Sequence, residues 1–271
     1  MNRTAPILVI GNVTRDIVGD GERLGGSAAF IARVLGSFKM NVALVTRAPN
    51  DPLLKPLVAS PHIRLHLLPS QSFTTFRHRL VRGRRQLRLE SCAAGISIMD
   101  IPVAWRSRPL VFLVPVMGEC RTELLTDFQQ SEVIVSAQGW LRSVDKDNLV
   151  IPCSPPEALL AARLLAVTIS AEDHPKARTL ARRMARHCKL VALTRGEKAV
   201  TLFEKKGEND IPIKAVAQAL HNIGAGDVFT ALLGLHIFNG HAMVTAVKNA
   251  ARGASRFVAE GMTGIGARPR L

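Results

Sequence analysis

The stretch from His221 to Phe229 carries the residues whose types and spacing are best suited to chemistry. It reads His-Asn-Ile-Gly-Ala-Gly-Asp-Val-Phe, with an acid directly after two glycines and an apolar run beyond it. The glycines predict a tight turn, and the run from Val228 to Leu235 predicts a buried helix. The first N–H groups of a helix have no partner inside it and lie at its positive dipole end, so this turn is suited to binding an anion.

The acid in this stretch, Asp227, places a negative charge where an anion would bind. Two interpretations are open. The carboxylate either complements the helix dipole as an ordinary helix-start residue or acts as a base, and the first is favoured for a Gly-x-Gly-Asp pattern taken alone. The rest of the chain must decide between them.

The N-terminal part predicts the elements that would position a second carboxylate. The apolar run Ile7–Gly11 is typical of a buried parallel strand. Asp16 follows in the predicted loop beyond the strand's carboxyl end, where ligands bind in open α/β sheets. Gly25 and Gly26 then open a predicted helix, and residues 41–46 form a second apolar run. This order predicts a βαβ unit.

Residues 72–90 follow a different pattern. Rough alternation on both sides of the basic turn Arg82-Gly83-Arg84-Arg85 predicts an antiparallel hairpin with one solvated face. Its cationic tip is suited to phosphate, although a solvated face is the commoner use of such a charge run. Buried strands are predicted at 110–114, 133–136, 167–170 and 190–194, antiparallel edge strands at 200–203 and 211–217, and closing helices at 228–238 and 242–259.

The composition fits one domain spanning residues 1–271. No apolar run could cross a bilayer and the start of the chain has no signal-peptide pattern, so we expect a cytoplasmic protein. Four widely spaced cysteines predict reduced thiols. A formal net charge of +15 suits an anionic ligand, nucleic acid or a solubilising surface, and its spread along the chain favours the last.

Three features occur together in one order along the chain: Gly11 with Asp16, the pair Gly25-Gly26, and Gly224-Ala225-Gly226-Asp227 before an apolar helix. In this combination the chain resembles the ribokinase family of carbohydrate and nucleoside kinases over nearly its whole length. The resemblance implies a three-layer α/β/α fold with a mostly parallel central sheet, antiparallel edge strands and a reduced lid. It also implies an ATP-dependent kinase that phosphorylates a hydroxyl of a small sugar or polyol.

The resemblance implies a role for each matching residue. Asp227 would be the base that takes the proton of the acceptor hydroxyl, and the amides of Gly224, Ala225 and Gly226 would form the anion hole. The implied contacts are, for the acceptor, Asn12, Asp16, Gly25, Gly26, Gln138 and Arg142; for ATP, Thr194, Arg195 and Gly196 with Gly224 and Gly226; and for Mg²⁺, Glu172 and Asp173.

The chain departs from the family pattern at several places. Phe30 stands where the family usually has Asn, so one acceptor contact is lost or replaced. Ser170 stands where Asn is usual in the magnesium motif, and His221 stands where an acid is usual near a monovalent-cation site. The segment before Gly25 is expected to be too short for the strands that form a lid in ribokinase. The site is then either open or covered by the hairpin at 72–90.

The reduced lid and the residues at 24–30, 83–86 and 138–142 are similar to the branch of the family that includes myo-inositol kinase, which implies a cyclic polyol or small sugar as acceptor. A nucleoside kinase of the same family and a catalytically idle ligand-binding relative remain as alternatives. A nucleic-acid binder is motivated by charge alone, because the chain lacks basic residues interleaved with aromatics. We expect a monomer or homodimer without a membrane partner.

Overall fold

The computed structural model describes residues 7–81, 84–213 and 223–266. The strands are β1 Ile7–Ile10, β2 Thr14–Val18, β3 Gly21–Gly25, β4 Val42–Arg47, β5 Ile63–Leu68, β6 Thr74–Val81, β7 Arg84–Ser91, β8 Leu110–Leu113, β9 Glu132–Ser136, β10 Arg142–Val144, β11 Val150–Pro152, β12 Ala166–Ser170, β13 Leu190–Thr194, β14 Ala199–Glu204 and β15 Gly207–Pro212. The helices are α1 Ser27–Ser37, α2 Lys55–Val58, α3 Leu124–Asp127, α4 Glu157–Ala161, α5 Ala177–Met184, α6 Ala225–Phe238, α7 Met243–Glu260 and α8 Met262–Gly266.

Among the described residues, nine strands form the central sheet in the order β15-β14-β13-β12-β9-β8-β1-β4-β5. The strands from β13 to β5 pair in parallel, and β14 and β15 add an antiparallel edge. The prediction of a mostly parallel sheet with antiparallel edge strands is confirmed. The edge hairpin is tighter than expected, because β14 ends at Glu204 and β15 begins at Gly207. The predicted continuation to 217 lies outside the described residues.

The central strands are continuously apolar because helices cover both faces of the sheet. In β1 the side chains of Ile7 and Val9 belong to one buried cluster, which includes α1, α6 and α7. Those of Leu8 and Ile10 belong to a second cluster with α3, α4 and α5. Successive side chains of a strand point to opposite faces, so these two clusters are the two helix layers of a three-layer fold.

A second sheet, which we call the lid sheet, has the strand order β3-β2-β6-β7. The hairpin predicted at 72–90 is confirmed as β6 and β7. The expectation that the segment before Gly25 is too short for lid strands is wrong: β2 and β3 form an antiparallel hairpin there. A two-residue turn is enough to close it, and Gly19 in that turn has a φ of 60°. Asp16 therefore lies on a strand and not in the predicted loop.

The helix after the glycine turn begins earlier than expected. α6 starts at Ala225, so Asp227 lies within its first turn and not before it. Gly224 is the N-cap residue, with a φ of 97° in the left-handed region that glycine adopts at little cost. None of the helices in the described part of the chain is both long and apolar enough to cross a membrane.

Candidate active site

The start of α6 has an open side and a closed side. At Gly226 an added Cβ would meet nothing within 4 Å, whereas at Gly224 it would overlap the ring of Phe30. The amides of the first helical turn have no intrahelical partner, and the open side leaves room for an anion to approach them. The predicted anion hole is thus accessible from the side on which Gly226 is exposed.

The carboxyl group of Asp227 is surrounded by other predicted site residues. Burial raises its pKa to about 6, a hydrogen bond from the Ser27 hydroxyl and the charge of Arg142 lower it, and the charges of Asp16 and Asp173 raise it. Four residues from distant parts of the sequence therefore act electrostatically on one carboxyl group. The structure brings together the predicted base, two predicted acceptor residues and one predicted magnesium residue.

Helix α1 holds this turn from the other side. Its first residue, Ser27, is buried and hydrogen-bonds Asp227. One turn later, Phe30 packs against Gly224, and its ring lies edge-on to that of Phe257 with centroids 6.0 Å apart. Phe30, which replaces the usual Asn, thus supports the glycine turn.

The contrast between the two glycines predicts two different mutant phenotypes. Gly224→Ala should destabilise the fold by about 1–3 kcal/mol, because a side chain there adopts a left-handed conformation and displaces Phe30. Gly226→Ala should leave the melting temperature unchanged or slightly higher, since alanine is the better helix former. Its methyl group would nevertheless obstruct the anion hole and lower kcat. Thermal denaturation with steady-state kinetics on both variants checks this, and equal stability losses would contradict it.

The second predicted carboxylate, Asp16, is almost fully enclosed by the lid sheet. Its Oδ1 accepts a hydrogen bond of 2.7 Å from the Thr14 hydroxyl, and its Oδ2 lies 3.5 Å from Nε2 of His78 on β6. The side chains of Asp16 and His78 are 7% and 8% exposed. Gly25 allows this arrangement, because a Cβ there would overlap the Asp16 carboxyl. A Cβ on Gly26 would press on the backbone of Asn12.

Asn12 is committed to the local structure. Its Oδ1 accepts a bond of 3.0 Å from the amide of Arg47, and its Nδ2 donates to the carbonyl of Ala94 at 3.4 Å. Its own amide donates to the carboxylate of Glu119 at 2.8 Å. The Asn12 side chain therefore links its own segment to those of Arg47 and Ala94. Its contact with the acceptor stays a prediction.

Residues from the loops after β8, β9 and β12 meet beside Asp227. Nε2 of Gln138 donates to Oδ1 of Asp173 at 3.2 Å, and Oδ2 of Asp173 accepts from the amide of Ser170 at 2.7 Å. Nη1 of Arg142 donates to the carbonyl of Val116 at 3.3 Å. The Arg142 guanidinium also lies 5.8 Å from the centre of the Phe76 ring, so it touches the lid sheet as well.

The predicted nucleotide residues lie at the end of β13, next to β12 in the same sheet. The Thr194 hydroxyl donates to the carbonyl of Ile169 at 3.5 Å, and the Arg195 guanidinium pairs with Asp210 at 2.7 Å. Gly196 has a φ of 61°, and a Cβ there would meet nothing within 4 Å. This open turn permits close approach of a ligand to the backbone.

The predicted magnesium position offers two carboxylates, those of Glu172 and Asp173. Glu172 is exposed and Asp173 is half-buried, and no group of three or more metal-ligating side chains occurs in the described ranges. Mg²⁺ usually keeps several waters and takes one or two carboxylates together with substrate phosphates. Asp173 fits such a site, because it lies close enough to act on Asp227. His221, predicted near a cation site, lies outside the described residues.

Sequence reasoning missed two residues of this region. His78 could have been found, because strict alternation along β6 places it on the same face as Phe76, toward Asp16. Glu119 has no sequence signal. Its buried carboxylate accepts backbone N–H bonds of 2.8 to 3.0 Å from Asn12, Val116 and Met117, and burial raises its pKa.

Comparison with solved structures finds the same architecture in kinases. A sulfate complex of a pyrophosphate-dependent kinase in the ribokinase family matches with a TM-score of 0.81 at 18% identity, over 97% of this chain and 100% of the other. A pyrophosphate-dependent kinase in that family, complexed with a pyrophosphate analog and myo-inositol, gives 0.80 at 18% identity over the same shares. Ribokinase from Arabidopsis thaliana, complexed with ribose and ATP, gives 0.70 at 16% identity over 98% and 100%.

No protein-family model and no curated protein matches the sequence. The likeness to solved structures nevertheless extends over nearly the whole length of both chains. It confirms the fold that the resemblance to the ribokinase family implies. The chain has the three-layer α/β/α fold of the ribokinase-family kinases.

Proposed function

We propose that the protein is a kinase that transfers a phosphoryl group to a hydroxyl of a small sugar or cyclic polyol. The observation that carries the proposal is the position of Asp227 in the first turn of α6, beside the open side of Gly226 and within electrostatic range of Asp16 and Arg142. Kinases that share this fold, including one complexed with myo-inositol and one with ribose, support the class of reaction.

Asp227 acts as the base in this proposal. The attacking hydroxyl becomes acidic late in a loose transition state, so a carboxylate with a pKa of about 6 is ionised at neutral pH and still basic enough to take the proton. The amides of Gly224, Ala225 and Gly226 hold the equatorial oxygens of the migrating phosphoryl group. Arg142 offsets negative charge on this phosphoryl group, because its guanidinium lies close enough to lower the pKa of Asp227.

The charge of the site favours a neutral acceptor. Asp16, Asp173 and Asp227 contribute three carboxylates, and Arg142 is the cation that acts on Asp227 with them. Carboxylates accept hydrogen bonds from hydroxyl groups but repel an anionic substrate. Asp16 is buried, so hydroxyl donors of a polyol would compensate it better than water does. Gln138 and Gly25 would complete the acceptor pocket with polar and small groups.

The phosphoryl donor in this proposal is ATP, with its phosphates along Thr194, Arg195 and Gly196 and its terminal phosphate at the start of α6. Asp173 and Glu172 would hold Mg²⁺ together with the donor phosphates, and the ion would neutralise charge on the phosphate oxygens. Pyrophosphate is a second candidate donor. It is motivated by two kinases of the same fold that are pyrophosphate-dependent.

A donor-by-acceptor screen tests the proposal. The purified protein with Mg²⁺ is incubated with ATP or pyrophosphate and each of a set of inositols, pentoses, hexoses and nucleosides, and the phosphorylated acceptor is measured directly. We expect turnover with at least one neutral polyol. Turnover with nucleosides alone would support the nucleoside-kinase alternative. No turnover with any pair would support the idle ligand-binding alternative and overturn the proposal.

The pKa of Asp227 predicts the acid side of the pH profile. Because the carboxyl group must be ionised to accept a proton, kcat/KM should fall about tenfold per pH unit below about pH 6 and level off above it. The direction follows from burial, which raises the pKa above the ordinary value for aspartate. Initial rates from pH 4.5 to 8 with a saturating donor measure this limb. An acid limb centred near 4 would contradict the described environment of Asp227.

A further inference from the structure

The two faces of the lid sheet have opposite character. On β6 the side chains of Phe76 and His78 point toward the predicted acceptor site, because they contact Arg142 and Asp16. Successive side chains of a strand alternate, so Arg77 and Arg79 point to the outer face. The outer face is therefore basic directly behind the strand residues that face the predicted acceptor site.

Cross-strand pairing places Arg77, Arg79, Gln86 and Arg88 next to one another on the outer face, in an arrangement that we call the square. In the register of β6 and β7, Arg77 lies opposite Arg88, and Arg79 lies opposite Gln86. Like charges directly opposite each other destabilise a sheet unless something compensates them. Glu90 pairs with Arg77, but Arg79 and Arg88 are exposed and have no carboxylate partner among the described residues.

The square is one wall of a groove of about 210 Å³. The turn at 145–149 forms the other wall, with Asp147 and Leu149. This turn is bonded to β7, since the amide of Leu89 donates to the carbonyl of Asn148 at 2.9 Å. It connects β10 to β11, and β10 begins at Arg142. The groove therefore joins the lid sheet to the hairpin that carries a predicted site residue.

We propose that the groove lined by Arg77, Arg79, Gln86 and Arg88 binds a phosphate-type oxyanion, either inorganic phosphate or the phosphate group of a small metabolite. Guanidinium groups form paired hydrogen bonds to tetrahedral oxyanions, and the Gln86 amide adds a neutral donor. Asp147 is exposed in the opposite wall of the groove. A bound oxyanion links β6 to β7 through the guanidinium groups of Arg79 and Arg88.

The test compares three forms of the full-length protein by isothermal titration calorimetry with inorganic phosphate, pyrophosphate and a sugar phosphate. In Arg79→Gln/Arg88→Gln we expect the affinity of the groove for phosphate to fall at least tenfold, because each charge-assisted bond contributes about that much. Arg163→Gln/Arg186→Gln is the matched control, since it removes two exposed arginines elsewhere and should bind as the wild type does. Comparing the three ligands distinguishes free phosphate from a metabolite as the source.

Two outcomes would overturn the proposal. Phosphate held only by the amides at the start of α6 would bind equally to all three forms. A groove built for nucleic acid would bind a short RNA tightly, lose that binding in Arg79→Gln/Arg88→Gln and show no measurable affinity for phosphate. Both readouts are independent of kinase activity, so the inference stands or falls separately from the proposed function.

Discussion

Replacing Asp227 by asparagine should lower kcat by about 10² to 10⁴-fold, the usual contribution of a positioned general base. The amide keeps the size of the carboxyl group and leaves the start of α6 intact, but it accepts no proton at neutral pH. Affinity for the phosphoryl donor should change little, because the amides of Gly224, Ala225 and Gly226 remain in place. Steady-state kinetics with donor-binding titrations measures both quantities.

The same variant should be at least as stable as the wild type at pH 8. Burial raises the pKa of Asp227 in the folded protein to about 6, so the folded state binds more protons than the unfolded state between about pH 4 and 6. Stability is therefore lost as pH rises through that window, and the loss is complete above it. Asparagine does not ionise, so the variant lacks this loss of stability. Asp127→Asn, at an exposed helix end, is the control that should change neither activity nor stability. Full activity in Asp227→Asn would overturn the proposed mechanism.

Replacing Glu119 by alanine should give the largest loss of stability. The change leaves the buried amides of Asn12 and Val116 and the half-buried amide of Met117 without their acceptor. An unsatisfied buried group costs about 1–3 kcal/mol, so losing all three bonds should lower the free energy of unfolding by about 3 kcal/mol or more. In a chain of this size that corresponds to a fall in Tm of roughly 6 °C or more.

Glu119→Gln should also destabilise, because both carboxylate oxygens accept N–H bonds and the glutamine NH₂ would face one of these donors. Glu123→Gln, an exposed acid four residues later, is the matched control and should leave Tm unchanged. Differential scanning calorimetry at neutral pH checks all three variants. A Tm for Glu119→Ala within 1 °C of the wild type would contradict the hydrogen-bond network.

The parts of the fold that the sequence predicts well are those whose signal is local. Apolar runs such as Ile7–Ile10 identify buried strands because no polar residue interrupts them. The turn at Gly224 is predicted because only glycine adopts its φ of 97° easily. Asp227 follows Gly224 by three residues, so one stretch of sequence predicts both the base and the anion hole.

The parts that the sequence does not predict depend on contacts between distant segments. The partners of Glu119 are backbone amides. Every residue except proline has such an amide, so the sequence does not show which ones Glu119 binds. Phe30 is an apolar residue in an apolar helix, and its contact with Gly224 exists only because α1 packs against α6. The sequence does not predict the β2–β3 hairpin, because its two strands are short and only the turn at Gly19-Asp20 marks it.

Asp16 and Asp227 depend on different sheets for their positions. Asp16 is part of β2 in the lid sheet, while Asp227 is anchored through α6 to the central sheet. In the proposed function Asp16 binds the acceptor and Asp227 deprotonates it, so any tilt of the lid sheet would change the distance between these two carboxylates. The proposed transfer would then depend on how the lid sheet packs against the central sheet as well as on the two side chains.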